Sequence, residues 1–271
     1  MLAIKKNIFQ IGMVEYRLAS TRDELEQAYK LIYQEYSIRG LILPEHYKTP
    51  CRITLHLALP GTITIIALKE GKVVGTTSII PDSPLGLPLD KGYEEEMVQV
   101  RKSRRKFCEI GYLSISSHLF PRGIFSLFNF SKLDFMCTMF RFVADYPYYC
   151  MKVDDVFIVT NPKLMLFKYL TFKEVGPVKH YGFDYSSIKR KPAVLKILDL
   201  HKFHKGNIYK RHCGQKIPDS ILNHRFKMNA DDLRYFFVEK SDVFKKATHQ
   251  ERECIRELYH LTPAEFENLM R

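Results

Sequence analysis

The chain reads as an α/β protein: a mixed, mostly antiparallel sheet flanked by helices, with a helical extension at the C-terminus. Three observations predict this class. Strand-like segments rich in β-branched residues interleave with segments of helical periodicity, in the order β-α-β-β-α-β-α-β-α-β-β. Two of the strand segments are joined by the polar turn "KEGK", which makes them an antiparallel hairpin within a sheet that elsewhere needs crossovers. Beyond Leu200 strand signals give way to helical ones. The chain therefore divides into a domain of residues 1–200 and an extension of residues 201–271 packed on it.

The elements follow in order. "VEYRLAS" is the first strand. Thr21 and Glu24 form a capping box that opens a helix, in which Leu25, Ala28, Tyr29, Ile32, Tyr33 and Tyr36 recur at helical spacing. Gly40 closes it, and residues 41–60 read as irregular. The hairpin pairs "TITIIAL" (62–68) with "KVVGTTSII" (72–80), and the Pro, Gly and Asp of "PDSPLGLPLD" (81–90) predict a loop. "GYEEEMVQVRKSRRK" predicts a helix with acids early and bases late, as the helix dipole favours. "FCEIGYLSIS" (107–116) is a strand. The spacing of Leu133, Met136, Phe140, Val143 and Ala144 predicts a helix over 131–146. "DDVFIVT" (154–160) is a buried strand. "NPKLMLFKYL" (161–170) predicts a short helix, with Asn161 as cap and Pro162 in its first turn. "FKEVGPVKHY" and "AVLKILDL" complete the sheet. In the extension, Thr262, Pro263 and Glu265 mark another helix start.

The composition narrows the function classes. The formal charge is +12, with +8 in residues 1–200 and +4 in residues 201–271, so an acidic partner is expected. The six cysteines are scattered, without CxxC or Cys/His ligand spacing, which predicts reduced thiols and no zinc site. No apolar run is long enough for a transmembrane helix, and the N-terminus does not read as a signal peptide. A cytoplasmic protein is the expectation, with a peripheral membrane contact left open. No helix-turn-helix, zinc-finger or RNP-type pattern accompanies the charge, so no nucleic acid is expected as a partner.

Chemistry concentrates in "RKSRRKFCEIGYLSIS". Arg101, Lys102, Arg104, Arg105 and Lys106 precede a strand with a single acid, Glu109. Strict alternation would set Glu109, Gly111, Leu113 and Ile115 on one face and Ile110, Tyr112 and Ser114 on the other. A carboxylate among core-type residues has its pKa raised by burial. In a purely structural role it would bond backbone groups or an arginine. Gly111 in mid-strand marks a bulge, a close backbone approach or simple packing.

Four stretches carry a resemblance. They are "YQEYSIRG" at the end of the tyrosine-rich first helix; "VVGTTSIIPDSPLGLP"; "CEIGYLSIS"; and "VFIVTNPKLMLFKYLTFKEVGPVKHYG". Over roughly residues 14–200 they resemble the GNAT (N-acetyltransferase-like) fold. Within it they resemble the FeeM-type N-acyl amino acid synthases, distant relatives of acyl-homoserine lactone synthases. The sequence departs from the pattern at Leu164, where family members often carry His, and at Tyr112, where the lactone synthases carry Arg.

The resemblance implies an N-acyltransferase. It would move an acyl group, long-chain in this family, from a phosphopantetheine thioester to the amine of an amino acid or similar small molecule. No tightly bound cofactor or metal is implied. The thioester arm would lie between strands 107–116 and 153–160, splayed apart. Glu109 would be the base, the backbone near Gly111 the oxyanion donor and Tyr112 an acid for the leaving thiolate. Tyr29, Tyr33 and Tyr36, with Asp82 and Ser83 of the loop, would border the substrate. "PRGIF" lacks the further Gly/Ala of a pyrophosphate-binding loop, which favours acyl carrier protein over coenzyme A as donor. The five basic residues would then hold the acidic carrier. Phe120, Phe125, Phe128 and Phe130 would cover an acyl chain, touch a membrane or form a satellite core. A non-catalytic GNAT-like module binding an acidic partner and a CoA-dependent N-acetyltransferase are the alternatives.

Overall fold

The computed structural model describes residues 2–5, 8–11, 13–119, 130–181, 191–212 and 216–271. A nine-stranded sheet runs through it. Its strands are β1 (Leu2–Lys5), β2 (Ile8–Ile11), β3 (Val14–Leu18), β4 (Ile63–Lys69), β5 (Lys72–Pro81), β6 (Phe107–Ile115), β7 (Asp155–Thr160), β8 (Lys173–Tyr181) and β9 (Lys191–Asp199). Their spatial order is β1-β2-β3-β4-β5-β6-β7-β9-β8. All neighbours are antiparallel except β6 and β7. The mixed, mostly antiparallel α/β architecture expected from the sequence is thus observed. The pair β1 and β2 was not anticipated. Each is four residues long, too short for an alternating pattern to stand out.

Helix α1 (Arg22–Ile38) starts where Thr21 accepts the backbone N–H of Glu24. Glu24 reaches back to the N–H of Ser20 and to Arg17, one residue earlier than a regular capping box requires. Gly40, at φ +60°, lets the chain turn out of the helix. In the hairpin turn Glu70 and Gly71 both have positive φ, the geometry of a type I′ turn. Helix α2 (Asp90–Lys102) is shorter at its C-terminus than expected, so Arg104, Arg105 and Lys106 lie in the connection to β6. Helix α3 (Phe130–Asp145) crosses one face of the sheet. Helix α4 spans only Met165–Tyr169. Asn161 does not cap it. Its Oδ1 instead accepts the N–H of Lys163 (2.8 Å), closing an Asx turn ahead of the helix.

After β9 come α5 (Leu200–Lys205), α6 (Asn207–His212), α7 (Asp219–Leu222), α8 (Ala230–Arg234), α9 (Val243–Lys246), α10 (His249–Leu258) and α11 (Pro263–Met270). Helices this short are unstable alone and depend on packing. Two cores hold them. On one face, Tyr29 and Ile32 of α1 and Met97 of α2 pack in one cluster with Leu233, Phe244, Ile255 and Phe266 of α8 to α11. On the other, Phe135, Met139 and Phe142 of α3 pack with Phe203, Tyr209 and Ile221 of α5 to α7. Capping boxes at Asn229/Asp232, Thr248/Glu251 and Thr262/Glu265 start α8, α10 and α11; the last was the one anticipated.

Phe120, Phe125 and Phe128, the "PRGIF" stretch, the side chains of Phe130 and Leu133, and Cys213 lie outside the described residues. Among the described residues, no helix is long and apolar enough to cross a membrane, and no group of His, Cys, Asp or Glu is arranged to hold a metal ion.

Candidate active site

Strands β6 and β7 pair in parallel at Phe107/Asp155, Cys108/Val156 and Glu109/Phe157, and no further. Beyond Glu109 they part. The gap opens into a cavity of about 1770 Å³. Its walls include Glu109 to Leu113 of β6, Ile158 to Thr160 of β7, and Arg52, Thr54 and His56 from the irregular segment after α1. The slot anticipated between these two strands is present, and it is open.

A β-bulge shapes one wall. In the β5–β6 ladder Ser78 pairs with Gly111 and Thr76 with Ser114, so Tyr112 and Leu113 together face Thr77. Tyr112 takes φ +57°, a conformation that costs a non-glycine residue about 1–2 kcal/mol. The bulge breaks the alternation expected from the sequence. Glu109 and Tyr112 share the α1 side of the sheet, while Leu113 and Ile115 join Ile110 on the α3 side. Gly111 precedes the bulge. A Cβ there would meet only Ile80 Cδ1, at 3.4 Å, so the glycine leaves free space facing the cavity.

Glu109 is 6% exposed. Its Oε2 accepts the backbone N–H of Leu89 at 2.9 Å. Burial drives its pKa up to about 8; the Leu89 N–H opposes this and Asp90 adds to it. Tyr112 is buried, with its hydroxyl 2.5 Å from that of Thr54. Burial pushes the phenol up to about 12, which makes it a weak acid toward a thiolate.

The other residues singled out in the sequence divide. Tyr36 lines the cavity. Tyr29 does not: it is fully buried in the core, edge-on to Phe236. Tyr33 packs against Tyr47 outside the lining. Asp82 pairs with Arg101 (2.9 Å), and the Ser83 hydroxyl accepts the Leu85 N–H, so both shape the loop without lining the cavity. Arg101 also bonds both carboxylate oxygens of Asp90. Arg105 grips the buried Asp155 through Nε and Nη2 (2.5 and 2.6 Å) and approaches Asp199. These two arginines, though partly exposed, are both held in ion pairs within the chain. Lys102, Arg104 and Lys106 are exposed, at the end of β6 where the two strands are still hydrogen-bonded.

Arg52 and His56 were not foreseen. Arg52 is buried, donates from Nη1 to the Tyr47 hydroxyl (2.6 Å), and lies 5.4 and 5.6 Å from the ring centres of Tyr36 and Tyr112. His56 is buried, and burial, with Lys91 nearby, lowers its pKa to about 4, leaving a neutral ring. The segment 41–60 has no periodicity, and only the residue types there hinted at chemistry.

A buried carboxylate of raised pKa thus stands at the foot of a slot between two parting parallel strands, one of them bulged. The family of N-acyl amino acid synthases typified by FeeM matches residues 27–198, well over half of the chain. The chain belongs to this family. Among solved structures, FeeM, described as an N-acyl amino acid synthase from uncultured soil microbes, is 22% identical, with a TM-score of 0.57 over 73% of this chain and 96% of that one. The AHL synthase LasI is 16% identical, with a TM-score of 0.51 over 76% and 96% of the respective chains. No match was found among curated proteins. This member of the FeeM family is an N-acyltransferase of GNAT-like fold.

Proposed function

We propose that this FeeM-family enzyme transfers a long acyl chain from acyl carrier protein to the amino group of an amino acid in the cytoplasm, with residues 1–200 as the catalytic domain and 201–271 as an extension. The observation that carries the reading is the open slot with Glu109 at its foot. In the reaction the acceptor's ammonium first loses a proton to Glu109. The amine nitrogen then attacks the thioester carbonyl, a C–N bond forms, the C–S bond breaks, and the second amine proton balances the departing thiolate. A carboxylate whose pKa is about 8 is well matched to an amine as a proton acceptor.

The carbonyl oxygen needs a donor while it is negative. Tyr112 and Leu113 have no partner in the β5 or β7 registers, and the Tyr112 N–H is the group suited to the task. Arg52, in the cavity wall, is the cation suited to an acceptor carboxylate. The acyl chain has an apolar recess behind the slot, lined by Ile110, Leu113, Met136, Met139, Phe140 and Phe167. It holds about 30 Å³ as it stands, so the flexible methionines must move to admit a chain.

The carrier is proposed to dock at the open end of the slot. There, around α4, Leu164 and Met165 are 38% and 64% exposed beside the exposed Lys163 and Lys168. Apolar contacts ringed by lysines suit a small acidic protein. The basic residues 101–106 sit at the closed end, and two of them are tied up in ion pairs. Leu164, in place of the family's frequent His, belongs to this contact.

The test is incubation with acyl carrier protein thioesters, acyl-CoA and a panel of amino acids and simple amines, with products identified by mass spectrometry. N-acyl amino acid formed from the carrier and poorly from CoA is expected. Equal use of both donors would refute the carrier assignment, and product with simple amines alone would refute the amino acid.

A further inference from the structure

The bulge in β6 has a specific anchor. The hydroxyl of Thr77, on β5, donates to the carbonyl oxygen of Gly111 at 3.0 Å. Thr77 is 1% exposed and is the residue that the two extra residues of the bulge face. The bulge takes Tyr112 and Leu113 out of the ladder, and the Thr77 hydroxyl gives the Gly111 carbonyl a side-chain hold on the β5 side.

The direction of that carbonyl decides the direction of the next amide. In a trans peptide the C=O of one residue and the N–H of the following one point opposite ways. With the Gly111 carbonyl turned to β5 and held there, the N–H of Tyr112 points away from β5. On that side β6 has already parted from β7, so the N–H faces the slot. The left-handed conformation of Tyr112 completes the turn, and its phenol, bonded to Thr54 at 2.5 Å, pins the far side. Without a hold on the Gly111 carbonyl, this peptide could relieve the strain at Tyr112 by rotating, and the N–H would leave the slot.

We propose that Thr77 is a positioning residue that aims the Tyr112 N–H at the thioester carbonyl by holding the Gly111 carbonyl on the opposite side of the same peptide. It touches neither donor nor acceptor. Its effect falls on the tetrahedral intermediate, whose oxygen has gained charge, and little on the binding of either substrate. The inference rests on the reading of the slot as the thioester site.

Thr77→Val keeps the shape and removes the hydroxyl; Thr77→Ser keeps the hydroxyl. Losing one oxyanion donor outright costs about 10²–10³ in turnover, and a donor turned partly away costs less. The expected result is a kcat about 10–100-fold lower for Thr77→Val, with KM for the amine within about threefold of wild type, and near-normal kcat for Thr77→Ser. Assays run well below the melting temperature of each variant. The second readout is the Tyr112 amide signal in protein labelled with ¹⁵N-tyrosine, titrated with an acyl-pantetheine ketone in which CH₂ replaces the thioester sulfur. The wild-type and Thr77→Ser amide protons should move downfield, and the Thr77→Val proton should not. If the ketone binds and the Tyr112 signal moves equally in Thr77→Val, the positioning role is wrong. If the ketone perturbs other signals but not Tyr112 in wild type, that amide is not the donor and the inference falls. If the ketone does not bind at all, the reading of the slot falls, and this inference with it.

Discussion

Replacing Glu109 with Gln separates the chemistry of the site from its stability. Glu109 titrates near 8 in the folded protein, against the usual 4.5, because it is buried. Between these values the native state keeps a proton that the unfolded chain has lost. Stability from this group therefore falls as pH rises, from no penalty below 4.5 to the full penalty above 8. At about 1.4 kcal/mol per pH unit, the penalty is about 3 kcal/mol at pH 7, with a ceiling of about 5 kcal/mol above pH 8. Gln has no proton to lose, and its amide oxygen can still accept the Leu89 N–H. Urea unfolding at pH 5, 6, 7 and 8 should show wild type losing about 1 kcal/mol or more per unit relative to Glu109→Gln. In the same buffers kcat/KM of wild type should rise with pH toward its plateau, and the variant should be about 10²–10⁴-fold slower at pH 8, with the gap narrowing as pH falls. Parallel stability profiles would show that burial does not raise this carboxyl. A stability difference with unchanged turnover would show that it is raised but is not the base.

Four further outcomes are expected. Lys163→Glu with Lys168→Glu should raise KM for acyl carrier protein at least tenfold and leave a short acyl-pantetheine donor unaffected, whereas Lys102→Glu, Arg104→Glu and Lys106→Glu together should change neither; steady-state kinetics decide. Asp155→Asn should destabilise by about 2–4 kcal/mol in chemical denaturation, because it strips a buried partner from Arg105. Gly111→Ala should melt within a few degrees of wild type, since its Cβ meets little, yet turn over at least tenfold more slowly as the methyl enters the slot. Met139→Phe should shorten the preferred acyl chain, read from product masses in a mixed-donor competition, because it fills the recess behind Ile110 and Ile158.

Most of the sheet was legible because its strands are long and rich in β-branched residues, and the helices α1 and α3 because an apolar stripe has to meet a core. The slot was legible only through resemblance. Nothing in "FCEIGYLSIS" or "DDVFIVT" says that two parallel strands will part after three paired residues. The bulge was half legible: Gly111 marked its place, but the strained residue is Tyr112, and a bulky aromatic at positive φ has no local sequence signal. That one residue reversed the facing of everything after it, which is why alternation put Leu113 with Glu109 when it lies across the sheet. Arg52 and His56 were hidden for another reason. Arg52 stands in extended chain and His56 in a single 3-10 turn (Leu55–Ala58), and only the tertiary fold brings them to the same cavity as β6.

The same physics governs the basic cluster. Charge density in sequence measures where cations are attached, not where they are free. Arg101 pairs with Asp82 and Asp90 around the start of α2, whereas Arg105, just ahead of β6, pairs with Asp155 at the start of β7 and closes the lower end of β6 against β7. A closed lower end has a use. With β6 and β7 clamped through Glu109 and Phe157, the two strands can diverge above that point without the sheet coming apart, and the divergence begins at the carboxylate. On the proposed reading of the slot, Arg105 would act on the reaction by fixing where the slot begins. Loosening the clamp in Asp155→Asn should therefore lower turnover more than it lowers the affinity for either substrate. Equal losses in kcat and in substrate binding would show that the strut serves only the fold.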